Sequence, residues 1–187
     1  MKNISISTLL IAALVFSFGL ASASAGDAKS VHDFSVKSID GKKVDLSQYK
    51  GKTLLIVNVA SKCGATPQYA DLVKLQETFK GKGFLVLGFP ANNYGGQEPG
   101  TNTEIKEFCT ATYQVEFPMF AKVSVKGDDQ APLFQYLTTA ENPDKKGDIG
   151  WNFEKFLIGK DGKLLRRFKT GIKPDSPEVI EAVKKAV

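Results

Sequence analysis

The segment TLLIVNVASKCGATPQYADLVKLQETFKGKGFLVLGF, residues 53–89, holds a strand, a turn, a helix and a second strand in that order. Thr53 to Ala60 is an almost unbroken apolar, β-rich run, which suits a central strand covered on both faces. After Pro67, a favoured residue in a first helical turn, Tyr69, Leu72, Leu75, Gln76 and Phe79 recur at helical spacing until Gly81 and Gly83 stop them. Phe84 to Phe89 reads as a second buried strand. This order predicts a parallel pair joined by a right-handed crossover.

Outward from that unit, His32 to Tyr49 sets Asp40-Gly41 between alternating stretches, a hairpin signal. Helices are expected at Asn102 to Tyr113, capped by Thr101 or Thr103, and at Pro132 to Thr139. Phe153 to Ile158 and Leu164 to Phe168 flank Lys160-Asp161-Gly162 and read as another hairpin. Ser176-Pro177-Glu178 opens a last helix with Val179, Ile180 and Val183 on one face. The expected class is α/β: a central mixed sheet flanked by helices, with an N-terminal β-hairpin. A thioredoxin-like fold is the simplest arrangement of that order, and a fold alone assigns no function.

The opening MKNISISTLLIAALVFSFGLASASAG carries Lys2, an apolar run from about Leu9 to Leu20 and small residues in A-x-A triplets. It reads as a signal peptide over residues 1–25, cleaved after Ala25 or, as second choice, after Ala23. Ser17 and Gly19 interrupt the run, which is short for a bilayer span, so no stable membrane anchor is expected after cleavage. The protein is therefore expected to be exported, to a periplasm or outside the cell, as a single domain over residues 26–187. Loss of Lys2 lowers the formal charge from +5 to +4, and the basic residues lie scattered among acids. That pattern argues against a nucleic-acid partner.

An exported chain with two cysteines, Cys63 and Cys109, invites a structural disulfide as the default reading. Local context favours chemistry at Cys63. It leaves a buried strand just ahead of a helix, where unpaired N–H groups and the positive end of the helix dipole favour the attacking thiolate. Lys62 adds a positive charge or points to solvent, and Gly64 allows a substrate to approach closely. A buried inert thiol is the competing reading. Thr66 stands where a Cys-x-x-Cys motif would need its second cysteine, and no Pro and Thr precede Cys63 in a P-x-x-x-T-x-x-C arrangement. His32 is the only histidine, so neither a metal centre nor a Cys-His hydrolase is expected, and no cofactor is implied.

Four blocks, Asn58-Val-Ala-Ser-Lys-Cys-Gly-Ala-Thr66, Leu87-Gly-Phe-Pro-Ala-Asn92, Gly96-Gln-Glu-Pro-Gly100 and Trp151-Asn-Phe-Glu-Lys-Phe156, closely resemble the signatures of the glutathione peroxidase family and occur in its order. The resemblance implies a peroxidase with a tetrad: Cys63 as peroxidatic residue in place of selenocysteine, with Gln97, Trp151 and Asn152 around it. The residue types suit that chemistry. An amide, an indole and a second amide donate hydrogen bonds without titrating near neutrality, and attack on a hydroperoxide leaves a sulfenic acid on sulfur.

In thioredoxin-reduced relatives a second cysteine near the position of Cys109 resolves that sulfenic acid. Plant-type members carry it one residue later relative to the following Phe-Pro, a shift that changes its helical face. Cys109 is expected to be the resolving residue, after local unwinding or loop movement, with a buried core thiol as the alternative. The implied partners are a hydroperoxide, hydrogen peroxide or an organic or lipid one, and thioredoxin-like protein or glutathione as reductant. The short interval between Leu137 and Trp151 favours a monomer. A redox sensor or thiol oxidoreductase relaying oxidation to a client protein is the alternative function, and a domain stapled by a Cys63–Cys109 bridge is the non-catalytic one.

Overall fold

The structure, a computed structural model, describes residues 28–187; the leader expected over residues 1–25 and its cleavage site lie outside the described residues. Strands β1 (Ser35–Lys37) and β2 (Lys43–Asp45) pair antiparallel around Asp40-Gly41, as the hairpin signal predicts. Strand β3 (Thr53–Val59), helix α1 (Gln68–Thr78) and strand β4 (Phe84–Pro90) form the crossover unit, with β3 and β4 parallel and in register from Thr53↔Phe84 to Val59↔Pro90.

Every residue of β3 is buried, as a strand covered on both faces requires. Alternation of its side chains divides the core. Leu55, Val57 and Val59 join the cluster under α1, helix α2 (Asn102–Tyr113) and helix α4 (Pro177–Ala186), whereas Leu54 and Ile56 join the one under helix α3 (Pro132–Thr139). Each such side chain stabilises the fold by about 1.5–3 kcal/mol through burial.

Strands β5 (Lys155–Ile158) and β6 (Leu164–Phe168) complete a sheet of order β4-β3-β5-β6, with β5 antiparallel to both neighbours. The class is therefore the expected one, a mixed α/β sheet with helices on both faces and an N-terminal hairpin. Two local differences have clear causes. Thr101 alone caps α2, closing a reciprocal capping box with Glu104. Strand β5 begins at Lys155 and not at Phe153, because Phe153 has φ +60 and its N–H is taken by the Asn58 carbonyl at 2.6 Å.

The topology decides where chemistry can occur. Parallel β3 and β4 leave the sheet at one end, and antiparallel β5 enters at that same end. The segments around Cys63, Gln97 and Trp151–Asn152 thus meet there, in the crevice at the carboxyl ends of parallel strands where α/β sheets place ligands.

Candidate active site

Cys63 lies in a series of tight turns between β3 and α1, five residues ahead of the helix. The Thr66 N–H donates to the Cys63 carbonyl at 3.0 Å, and Gln68 and Tyr69 repeat the pattern onto Ala65 and Thr66. The expected free N–H at the sulfur is therefore supplied by the turn: Ala65 N–H donates to Cys63 Sγ at 3.3 Å. The Cys63 N–H donates to Thr66 Oγ1 at 2.9 Å, and that hydroxyl donates to the Ala60 carbonyl at 2.9 Å. Cys63 is 9% exposed, and Lys62 points outward with no ion pair among the described residues.

Thr66 is accordingly the internal brace of the turn. Thr66→Val is expected to cost about 1–3 kcal/mol, because a buried N–H and a buried carbonyl lose their partner together. An unchanged urea midpoint would contradict that account.

Gln97 stands in the loop after β4, where consecutive Gly95 and Gly96 at φ +64 and +62 make a reversal that side chains rarely adopt. Its carbonyl accepts the Lys62 N–H at 3.0 Å, which ties this loop to the residue before Cys63. Its side-chain Oε1 accepts from Asn152 Nδ2 at 2.9 Å. With the oxygen engaged, the Gln97 amide N–H₂ is left as the donor.

The Trp151–Glu154 turn is held by Asn58, an amide inside the apolar strand β3. Asn58 Nδ2 donates to the Trp151 carbonyl at 3.0 Å, and Asn58 Oδ1 accepts the Glu154 N–H at 2.9 Å. The left-handed Phe153 lets neighbouring residues diverge: Asn152 and Phe153 are buried, whereas Trp151 is 41% exposed and packs beside Tyr94 with ring centroids 5.6 Å apart. The Asn152 carbonyl accepts from Thr170 Oγ1 at 2.7 Å.

Two buried side-chain oxygens of this region, Gln68 Oε1 and Asn152 Oδ1, lack a hydrogen-bond partner among the described residues, while the Ser61 side chain interacts with Glu98 and that of Tyr69 with Cys109. Buried polar atoms are nearly always paired. Glu98 is wholly buried, and burial pushes its carboxyl up against the opposing pull of Ser61, Lys122 and Lys62.

Cys109 sits elsewhere in the same core. It is 1% exposed on the face of α2 that also buries Ile105, and it shares a hydrophobic cluster with Cys63 and Tyr69. Burial pushes its thiol up to about 11, partly offset by Tyr69, so at rest it is a neutral thiol. Both cysteines are free.

The structure thus joins Gln97 and Asn152 directly and ties Gln97 to the Cys63 turn, leaves Trp151 partly exposed beside Tyr94, and among the described residues gives Cys63 Sγ one hydrogen bond, from the Ala65 N–H. Asn58, Thr66 and Glu98 are absent from the candidates named by sequence. Asn58 had a signal, a polar amide within an otherwise apolar strand; Glu98 lay inside the quoted Gly96–Gly100 block.

The family model described as Glutathione peroxidase matches residues 31–138. The chain is 46% identical over 172 residues to "Thioredoxin/glutathione peroxidase BtuE" of Escherichia coli, covering 81% of this chain and 94% of that protein. It is 48% identical over 160 residues to a "Probable phospholipid hydroperoxide glutathione peroxidase" of Mesembryanthemum crystallinum, covering 85% and 94%. The solved structure described as Trgpx in apo form superposes with a TM-score of 0.70 at 38% identity, covering 86% of this chain and 96% of that one.

Proposed function

Because this chain belongs to the glutathione peroxidase family and is a thiol peroxidase acting on hydroperoxides, we propose that Cys63 is its peroxidatic residue, served by Gln97, Trp151 and Asn152. The observation that carries this reading is the pair of ties joining three distant segments: Lys62 N–H to the Gln97 carbonyl, and Asn152 Nδ2 to Gln97 Oε1. The Cys63 thiolate attacks the terminal peroxide oxygen, the O–O bond breaks, and the alkoxide or hydroxide leaves and takes a proton. Sulfur loses two electrons and becomes a sulfenic acid. The Ala65 N–H on Sγ and the amide and indole donors stabilise the charge that moves through this step.

Cys109 is the proposed resolving residue. Its thiol condenses with the Cys63 sulfenic acid to form a disulfide and water, and a thioredoxin-like dithiol then reduces that disulfide. Glutathione reaches the same end by two successive attacks, through a mixed disulfide at Cys63. The relatives' printed names, with thioredoxin, glutathione and phospholipid hydroperoxide in them, support testing both reductants and a lipid substrate. Cys109 must leave the core to react, since it is buried and protonated at rest. Mass spectrometry after one equivalent of peroxide tests this directly. A Cys63–Cys109 disulfide is expected; a lasting sulfenic acid at Cys63 with a free Cys109 thiol would remove Cys109 from the cycle.

Residues 1–25 are proposed to be an export signal, and the mature chain a monomer in a periplasm or outside the cell. Amino-terminal sequencing of the protein recovered from the periplasm is expected to begin at Gly26, or at Ser24 for cleavage after Ala23. A mature chain that keeps Met1 would exclude both.

A further inference from the structure

Lys155 opens β5 and is wholly buried, on the sheet face that Leu157 shares with α1. An apolar side chain of similar volume would fill that place without the cost of desolvating a charge. The ammonium instead donates to three backbone carbonyls of the turn after β6: Ile172 at 2.5 Å, Thr170 at 3.3 Å and Lys169 at 3.4 Å. Thr170 is a junction between elements. Its carbonyl also accepts from Gln68 Nε2, at the start of α1, at 2.8 Å. Its hydroxyl donates to the Asn152 carbonyl at 2.7 Å, and Asn152 in turn holds Gln97.

We propose that Lys155 is a positioning residue of the peroxidase reaction, its ammonium gathering the 169–172 turn so that Thr170 holds Asn152, and through it Gln97, in register with the turn that carries Cys63. The inference rests on the reading of Cys63, Gln97 and Asn152 given above.

The protonation state of Lys155 matters to this brace. An ammonium offers three N–H groups to three carbonyls, whereas the neutral amine offers two and turns a lone pair toward an oxygen. Burial pulls Lys155 down to about 7, opposed first by Glu154 and then by Asp71. Glu154 is engaged by Arg167 at 2.5 Å, and Asp71, on α1, is itself influenced by Asp175, Lys173, Lys74 and Lys155. The brace is therefore complete below neutral pH and weakens above it.

The test compares kcat/KM for hydrogen peroxide from pH 6 to pH 9 in the wild type, Lys155→Met and Thr170→Val, with near-UV circular dichroism to count folded protein. Thr170→Val keeps the carbonyls under Lys155 and removes only the hydroxyl that reaches Asn152. Both variants are expected to lose on the order of 10- to 100-fold at pH 6, the scale set by small misplacements of a reacting geometry. In both, the deficit is expected to be smaller at pH 9 than at pH 6, because the wild-type brace weakens as Lys155 loses its proton. A wild-type rate at pH 6 in either variant, or a deficit of constant size across the range, overturns the proposal. If Lys155→Met does not fold, the pH dependence of the Thr170→Val deficit decides alone. Cys63→Ser separates the two readings, because activity surviving in that variant sinks the site itself, whereas a dead Cys63→Ser beside a normal Lys155→Met sinks only the brace.

Discussion

Replacing Cys63 with serine is expected to lower the rate constant for hydrogen peroxide by about a thousandfold or more, since a serine hydroxyl without an adjacent base is a weak nucleophile at neutral pH. A thousandfold corresponds to about 4 kcal/mol of transition-state stabilisation. The surrounding turn should survive the change. The Cys63 N–H still donates to Thr66 Oγ1, that hydroxyl still reaches Ala60, and the Ala65 N–H can donate to oxygen in place of sulfur. Circular dichroism and the urea midpoint should therefore stay close to wild type while peroxide-dependent oxidation of thioredoxin or glutathione disappears. Peroxidase activity persisting in folded Cys63→Ser protein would exclude the assignment.

The largest stability effect is expected at Arg167→Met. Arg167 and Glu154 form an ion pair with side chains only 1% and 2% exposed, Nε to Oε1 at 2.5 Å. The remaining guanidinium N–H groups donate to the carbonyls of Gly147 at 2.6 Å, Asp148 at 2.8 Å and Lys145 at 3.3 Å, and Glu154 Oε2 accepts the Gly150 N–H at 2.7 Å. The pair thus clamps the whole approach to Trp151. Removing one partner strands a buried charge, at about 3–5 kcal/mol. For a domain of this size that is a fall in Tm of roughly 10 °C. Adding Glu154→Gln, which removes the stranded charge and keeps an oxygen for Gly150, should recover much of the loss. A double variant no more stable than Arg167→Met alone would show that the loop contacts, and not the charge pair, carry the cost.

The strand–turn–helix–strand unit was legible because each part has its own local period. The apolar run of β3, the helical spacing of α1 and the stop at Gly81 and Gly83 need only a short window of chain. The same is true of the Asp40-Gly41 and Asp161-Gly162 hairpins and of Ser176-Pro177 at α4. Even the burial of Cys109 was within reach, since Ile105 and Cys109 stand four apart on one face of α2. Phe153 was not legible. Hydrophobicity assigns it to the strand, whereas its left-handed φ of +60 occurs in a turn held by Asn58, far away in the chain.

The polar surround proposed for Cys63 divides along the same line. Its residues were recognisable through their resemblance to a family, but no local pattern brings Gln97 to Asn152 across 55 positions or Asn58 to Trp151 across 93. Nothing in the run Phe153–Ile158 announces that Lys155 is buried beneath α1, because a lysine there fits an exposed strand position equally well. The order of elements, and a cysteine at the carboxyl end of a buried parallel strand, follow from side chains and turns acting on their near neighbours. Which amides face one another, and which lysine is left to three carbonyls, follow from long-range packing alone. Those outcomes depend on the closing of the sheet, when β5 enters antiparallel beside β3 and brings chain segments nearly a hundred residues apart to the same edge.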